Sequence, residues 1–92
     1  MADELVVGTI VAVDEHPGAR APSFLLAVDV GSHGIQEVVL STGAYQPDEL
    51  HGRQILCRRD VDGIALVGAH SHGKGLVLLQ PSENVEPGTL VS

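Results

Sequence analysis

The sequence predicts an all-β protein of the sandwich or barrel class. Short apolar runs alternate with glycine- and proline-rich turns, and helical periodicity is almost absent. Val, Leu and Ile make up 28 of the 92 residues, against one Phe, one Tyr and no Trp, so the core has to be aliphatic. A chain of this length is near the lower limit for a single apolar core, and we expect one domain over residues 1–92.

Six strands and one helical turn follow from the pattern of apolar runs and turn residues. Gly8, within the first run, is suited to the bend or bulge that a small barrel needs. Pro47–Leu50, with a proline and two acidic residues at its start, predicts one turn of helix. The tail 86–91 is a candidate for a further short strand. The predicted strands are 5–13, 23–30, 35–40, 53–58, 64–69 and 76–79.

Several protein classes are excluded or disfavoured by composition. A single cysteine excludes an internal disulfide, so nothing indicates secretion. No apolar run approaches the roughly 20 residues of a membrane span. The N-terminal residues lack the profile of a signal peptide. We therefore expect a cytoplasmic protein that does not associate with membranes.

No catalytic or cofactor motif is present, and the sequence predicts a binding protein rather than an enzyme. His70 and His72 have the i, i+2 spacing of strand residues that share a face, but zinc normally takes three or four protein ligands, and none stands at a motif spacing from this pair. An exposed hairpin tip explains them more simply. Cys57 lies within a predicted strand, where a buried thiol is more common than a catalytic one. We expect no metal and no cofactor.

Several short segments together resemble one known family. The first two predicted strands with the loop between them, including Ala19-Arg20-Ala21-Pro22, are similar to the start of the tRNA-binding domain of methionyl-tRNA synthetases and of the phenylalanyl synthetase β subunit. The loop is most like that of the free-standing, dimeric CsaA-type proteins. The resemblance implies a small Greek-key OB-fold (oligonucleotide-binding) barrel and a homodimer. The segments of this chain that carry the resemblance are residues 7–20, 23–31, 45–50, 77–81 and 87–89.

Three arginines are the candidate RNA-binding residues. OB barrels bind oligonucleotides with the face of strands two and three and with two neighbouring loops. Arg20 lies in the loop between strands one and two, and Arg58 and Arg59 are expected in the loop after strand four. The alternative is that arginines collect in loops because loops are exposed to water. If RNA is bound, tRNA or another structured RNA is the partner that the resemblance implies.

Charge and loop length leave other partners open. Five basic and twelve acidic residues give a net charge of −7, whereas nucleic-acid binding draws much of its affinity from basic residues. The family usually has a lysine where this chain has Gly43, and a longer loop ending in Ser-Glu where this chain has residues 59–63. The alternatives are a chaperone-like dimer that binds unfolded or export-bound peptides, and an assembly module that has lost RNA binding.

Overall fold

Seven strands and one short helix make up the computed structural model, which describes residues 4–15, 23–41, 45–73 and 75–91. A 3-10 turn at Gly31–His33 precedes the third strand. No helix among the described residues has the length and apolar character needed to cross a membrane. The elements are β1 Glu4–Glu15, β2 Ser23–Asp29, β3 Ile35–Ser41, α1 Pro47–Leu50, β4 Gln54–Asp60, β5 Gly63–Leu66, β6 Gly68–Ser71 and β7 Gly75–Leu78.

Five of the strands form one antiparallel sheet that curls into a nearly closed barrel. The strand order is β3-β2-β1-β4-β5, and β3 comes back into contact with β5. The strands β6 and β7 form a separate hairpin. The residues that flank this hairpin join it to β4: the N–H of Leu56 donates to the carbonyl of Leu79, and the N–H of Val67 donates to the carbonyl of Leu56. This architecture is that of a small OB-fold barrel, and the predicted fold class is confirmed.

The long strand β1 pairs with two different neighbours because it bends halfway. Its first half pairs with β4 and its second half with β2, and the register with β2 shifts between Ile10 and Ala12. Gly8 lies before this bulge, in regular register with Ile55. Of the bend or bulge expected at Gly8, the bulge lies elsewhere, between Ile10 and Ala12. A side chain at Gly8 would instead collide with Cγ1 of Val28, so this glycine allows close packing across the barrel.

The barrel interior is aliphatic, as predicted. Alternate residues of β2 point inward, and Phe24, the only phenylalanine, is 6% exposed. Since consecutive strand residues face opposite sides, this alternation assigns one face of β2 to the core and the other to the surface. The fully buried side chains are Val6, Ile10, Leu26, Val28, Val30, Leu50, Ile55 and Cys57.

The helical turn α1 matches its predicted bounds of Pro47–Leu50. Proline stands at its first position, and Gln46 and Glu49 form a capping box in which the Gln46 N–H donates to Glu49 Oε1 at 3.0 Å. Leu50 is fully buried and anchors the turn to the barrel.

Two predicted strands differ from those observed. The run 64–69 is divided into β5 and β6 at Val67. The N–H of Val67 still donates to the carbonyl of Leu56, but the N–H of Leu56 and the carbonyl of Val67 both bond to Leu79 instead of to each other, so the β4–β5 ladder stops there. The tail does not form a full strand but runs beside β1. Val6 and Leu90 form an isolated bridge, and backbone hydrogen bonds join Val7 to Gly88 and Thr89, and Leu5 to Val91. That residues 1–92 form a single domain, and that the protein is cytoplasmic, stay predictions.

Candidate functional site

The outer face of β2 and β3 is the surface on which an OB barrel binds its ligand. Three cross-strand pairs make up this surface, here called the β2–β3 face. The side chain of Val39 is 49% exposed and that of Ile35 is 62% exposed, so the face is open to solvent. The pairs are Leu25↔Val39, Ala27↔Glu37 and Asp29↔Ile35.

The β2–β3 face is apolar and acidic. It carries four aliphatic residues and two carboxylates, and none of its six residues is basic or aromatic. Asp29 is held in the adjoining turn, where its Oδ1 accepts the N–H of Gly31 at 2.9 Å. Glu37 is exposed. Because carboxylates repel phosphate groups, this face is poorly suited to a nucleic-acid backbone.

Neither aromatic residue is available to stack a base on this face. Phe24 points into the core. The hydroxyl oxygen of Tyr45 accepts the N–H of Leu78 at 2.9 Å, and the guanidinium carbon of Arg53 lies 5.8 Å from the centre of the tyrosine ring. Base stacking, which contributes much of the single-strand binding by OB folds, therefore has no exposed platform on the β2–β3 face.

Arg58 and Arg59 lie within β4, and the expectation that they occupy the following loop is wrong. As consecutive strand residues they project from opposite sides of the strand. Arg58 is exposed, whereas Arg59 is half-buried and its Nη2 donates to Glu4 Oε2 at 2.6 Å. The Nε of Arg59 is buried without a hydrogen-bond partner among the described residues. Their role in RNA binding stays a prediction.

Arg20, the third predicted residue, falls outside the described residues. The segment that contains it connects Glu15, the last residue of β1, to Ser23. Arg59 instead pairs with Glu4, the first residue of β1. Glu4 and Glu15 are the two ends of β1 and lie eleven residues apart along it. At the usual rise of a strand, this corresponds to a path of about 36 Å along β1. The connection that carries Arg20 and the position of Arg59 thus adjoin opposite ends of β1.

The turn between β4 and β5 is acidic. The Oδ1 of Asp60 accepts the N–H of Asp62 at 2.8 Å, which shapes the turn around Val61. A cavity of about 270 Å³ lies beside it, lined in part by His33 and Arg59. Its two aspartates offset the charge of the arginine, so this cavity has no net positive charge to attract RNA.

A second, larger cavity was missed by sequence reasoning. It has a volume of about 460 Å³ and lies between the end of α1, the start of β4 and the segment after β7. Its lining is polar and includes Arg53, which follows closely on the family segment 45–50. The position of Arg53 close to this family segment is the one feature of the sequence that could have indicated the cavity. The lining residues are Glu49, His51, Gly52, Arg53, Gln54, Gln80, Pro81, Ser82 and Asn84.

The histidine pair and the cysteine show no reactive arrangement. His70 and His72 are exposed at the tip of the β6–β7 hairpin, as the simpler interpretation predicted. Among the described residues, no group of three or more His, Cys, Asp or Glu side chains is placed to hold a metal ion. Cys57 is fully buried, and burial raises the pKa of its thiol to about 11, which opposes formation of the reactive thiolate.

Two methionine–tRNA ligases resemble this chain in sequence. The chain is 30% identical to the ligase of Methanosphaerula palustris over 92 residues, which is 94% of this chain, and 30% identical to that of Methanoregula boonei over 94 residues, or 96% of it. It spans only 14% of the length of either ligase. No protein-family model matches the chain.

Three solved structures share the fold. The chaperone CsaA of Bacillus anthracis superposes with a TM-score of 0.86 at 26% identity, over 98% of this chain and 91% of that one. The CsaA chaperone protein of Picrophilus torridus gives 0.87 at 23% identity, over 98% and 92%. A MetRS-related protein of Pyrococcus horikoshii gives 0.74 at 18% identity, over 98% and 90%. The resemblance inferred from the sequence is thus confirmed: this chain is similar to tRNA-binding domains of the methionyl-tRNA synthetase type, with a CsaA-like OB-fold barrel.

Proposed function

We propose that this chain is a non-catalytic, CsaA-like OB-fold protein that binds structured RNA such as tRNA. The observation that carries the proposal is the similarity of 94% of the chain to a segment of an enzyme whose substrate is tRNA. The barrel shared with a MetRS-related protein supports it. A cytoplasmic location agrees with such a partner.

The small number of cations limits the strength of RNA binding. Of the three predicted arginines, Arg58 is exposed, Arg20 is expected in a surface loop, and Arg59 is half-buried and bonded to Glu4. Two phosphate contacts per subunit predict that log K falls with log salt with a slope of about −2 per subunit, or about −4 for a dimer with both copies engaged. Backbone and shape recognition should dominate, since no aromatic side chain is available on the β2–β3 face.

The test is a salt titration of tRNA binding, measured by fluorescence anisotropy. Replacing Arg58 with Ala should reduce the magnitude of the salt slope by about one per subunit. It should also weaken the binding of all RNA sequences to the same extent, because phosphate contacts carry no sequence information. Lys74→Ala, which removes the same charge between β6 and β7, is the matched control and should change binding less. Glu4→Gln should strengthen binding, because it releases Arg59. No tRNA binding even at low salt would overturn the proposal.

The proposal includes a homodimer. Eight large apolar side chains among the described residues are at least 38% exposed, and Leu90 and Val61 reach 64% and 84%. Burying part of this surface against a second copy would relieve the small-core problem of a 92-residue chain. A dimer would also double the number of cations that one RNA molecule can contact.

A second candidate function is the binding of unfolded or export-bound polypeptide, and the composition of the β2–β3 face favours it. Leu25 and Val39 offer aliphatic contacts, and Asp29 and Glu37 offer negative charge. An extended segment with apolar and basic residues is complementary to such a surface. Two of the structural neighbours are chaperones, which agrees with this candidate.

A charge substitution on the face separates the two candidates. Val39→Lys should weaken the binding of a cationic, permanently unfolded reporter polypeptide while leaving tRNA binding unchanged or stronger. Val61→Lys, which introduces the same charge in the β4–β5 turn, is the control for peptide binding. If Val39→Lys and Val61→Lys affect the polypeptide equally, the face is not the site. If the wild-type protein binds neither polypeptide nor tRNA, the chain is an assembly module.

A further inference from the structure

The 460 Å³ cavity, here called the Arg53 pocket, is walled by parts of the chain that are distant in sequence. One wall is residues 49–54, and the other is residues 80–84. Its volume lies within the usual range for small-ligand sites, but its lining is polar, which favours a ligand held by hydrogen bonds and charge. Its lining includes no residue of the β2–β3 face and neither Arg58 nor Arg59.

The walls of the Arg53 pocket are held together by one buried side chain. Gln54 is 8% exposed, and its Oε1 accepts the N–H of Val85 at 2.9 Å. Its Nε2 donates to the carbonyl of Val85 at 2.5 Å and to Thr9 Oγ1 at 3.1 Å. The segment that ends at Val85 is therefore fixed to β1 and β4, and the pocket is largely formed before any ligand binds.

Arg53 is itself pre-positioned. Its carbonyl accepts the N–H of Ile10 at 2.9 Å and its N–H donates to the carbonyl of Leu50 at 3.0 Å. Its guanidinium lies over the ring of Tyr45, whose hydroxyl is bonded to β7. It forms no ion pair with another described residue. A guanidinium held in this way loses little freedom when it binds an oxyanion, and its planar fork suits phosphate.

The remaining lining completes the chemistry of the pocket. Gln80 and Asn84 contribute amides, Ser82 a hydroxyl and His51 an imidazole, all able to donate hydrogen bonds to oxygen atoms. The one carboxylate, Glu49, already accepts the N–H of Gln46 in the capping box. The pocket therefore combines one cation with several donors and acceptors, a combination that matches a phosphate joined to a hydroxyl-rich sugar.

We propose that the Arg53 pocket binds a nucleoside monophosphate unit, with Arg53 on the phosphate and the amides of Gln80 and Asn84 on the ribose. The unit is either a nucleotide of an RNA strand or a free mononucleotide, which share this chemistry. In its RNA form the inference rests on the proposed function, which it deepens by naming a second contact surface.

The experiment is a titration of the isotopically labelled protein with AMP, followed by amide chemical shifts. Shifts are expected at residues 51–53, at Gln80 and at residues 82–84, and not along β2 and β3. Adenosine, which lacks the phosphate, should bind at least about tenfold more weakly, because it cannot form the charge-assisted hydrogen bond to Arg53. Arg53→Gln should weaken the binding of AMP by a similar factor. Lys74→Gln, with the same change in charge, should change the affinity for AMP by less than about twofold.

A second variant and a competition measurement complete the design. Asn84→Ala removes an exposed side chain and should weaken AMP without unfolding the protein, which covers the case in which Arg53→Gln does not fold. If AMP shifts the pocket and tRNA displaces it, the ligand is an RNA nucleotide. If AMP binds but tRNA does not compete, the ligand is a free mononucleotide. If tRNA binds while AMP causes no shift in the pocket, the inference is overturned and the proposed function stands. If neither binds, both fall.

Discussion

Gly8 offers the sharpest test of how the barrel is packed. A methyl group at this position would overlap Cγ1 of Val28 and would lie 3.2 Å from Cγ1 of Val30 and 3.3 Å from Sγ of Cys57. All three neighbours are 0% exposed, so none of them can move into solvent. Overpacking of this kind destabilises a core by about 1–3 kcal/mol. The reduced freedom of the unfolded chain offsets about 0.4–1 kcal/mol of that loss.

A double-mutant cycle tests whether the loss of stability in Gly8→Ala comes from the overlap with Val28. Val28→Ala alone removes two buried methyl groups and should lower the free energy of unfolding by about 2 kcal/mol. In the double variant the methyl group added at position 8 occupies the space left by the shortened side chain at position 28. The loss should then be smaller than the sum of the single losses by about 1–2 kcal/mol.

The assay is urea unfolding of Gly8→Ala, Val28→Ala and the double variant, all at one protein concentration because a dimer would make stability concentration-dependent. Gly73→Ala is the matched control, since nothing lies within 4 Å of a methyl group there, and it should be neutral or slightly stabilising. Additive losses in the double variant would show that Gly8 is not required by contact with Val28.

Three further outcomes are expected. Gln54→Leu should lower the free energy of unfolding by about 1–3 kcal/mol and speed amide exchange at Val85, whereas Gln36→Leu, at a partly exposed position, should cost under about 0.5 kcal/mol. Burial raises the pKa of the Cys57 thiol from 9.0 to about 11. The unfolded chain therefore loses this proton at a lower pH than the folded protein, so the contribution of the neutral thiol to the free energy of unfolding is complete below pH 9 and is lost as pH rises toward 11. Urea unfolding should show this loss in the wild type and not in Cys57→Ala; equal pH profiles would refute it. Light scattering should give twice the chain mass of 9.6 kDa, and the mass of one chain would refute the dimer.

Much of the fold could be predicted because its signals are local. Glycine and proline between apolar runs place most strand ends within two residues, and the proline and acids of Pro47–Leu50 mark the helical turn correctly. The shortage of aromatic residues predicts an aliphatic core. The order of these segments also carries the resemblance to tRNA-binding domains, which the similarity to two methionine–tRNA ligases supports.

The candidate sites depended on contacts that a local pattern does not contain. Alternation assigns residues to two faces of a strand, but it does not say which strand lies alongside. Only the pairing of β1 with β4 brings Glu4 to Arg59, a contact between residues 55 positions apart that sets a carboxylate against one of the predicted RNA-binding arginines. Only the fold joins Gln54 to Val85 and so forms the Arg53 pocket. The sequence by itself determined the barrel and its resemblance to tRNA-binding domains, whereas the tertiary structure decided which charged side chains lie beside one another, because those contacts join residues distant in the chain.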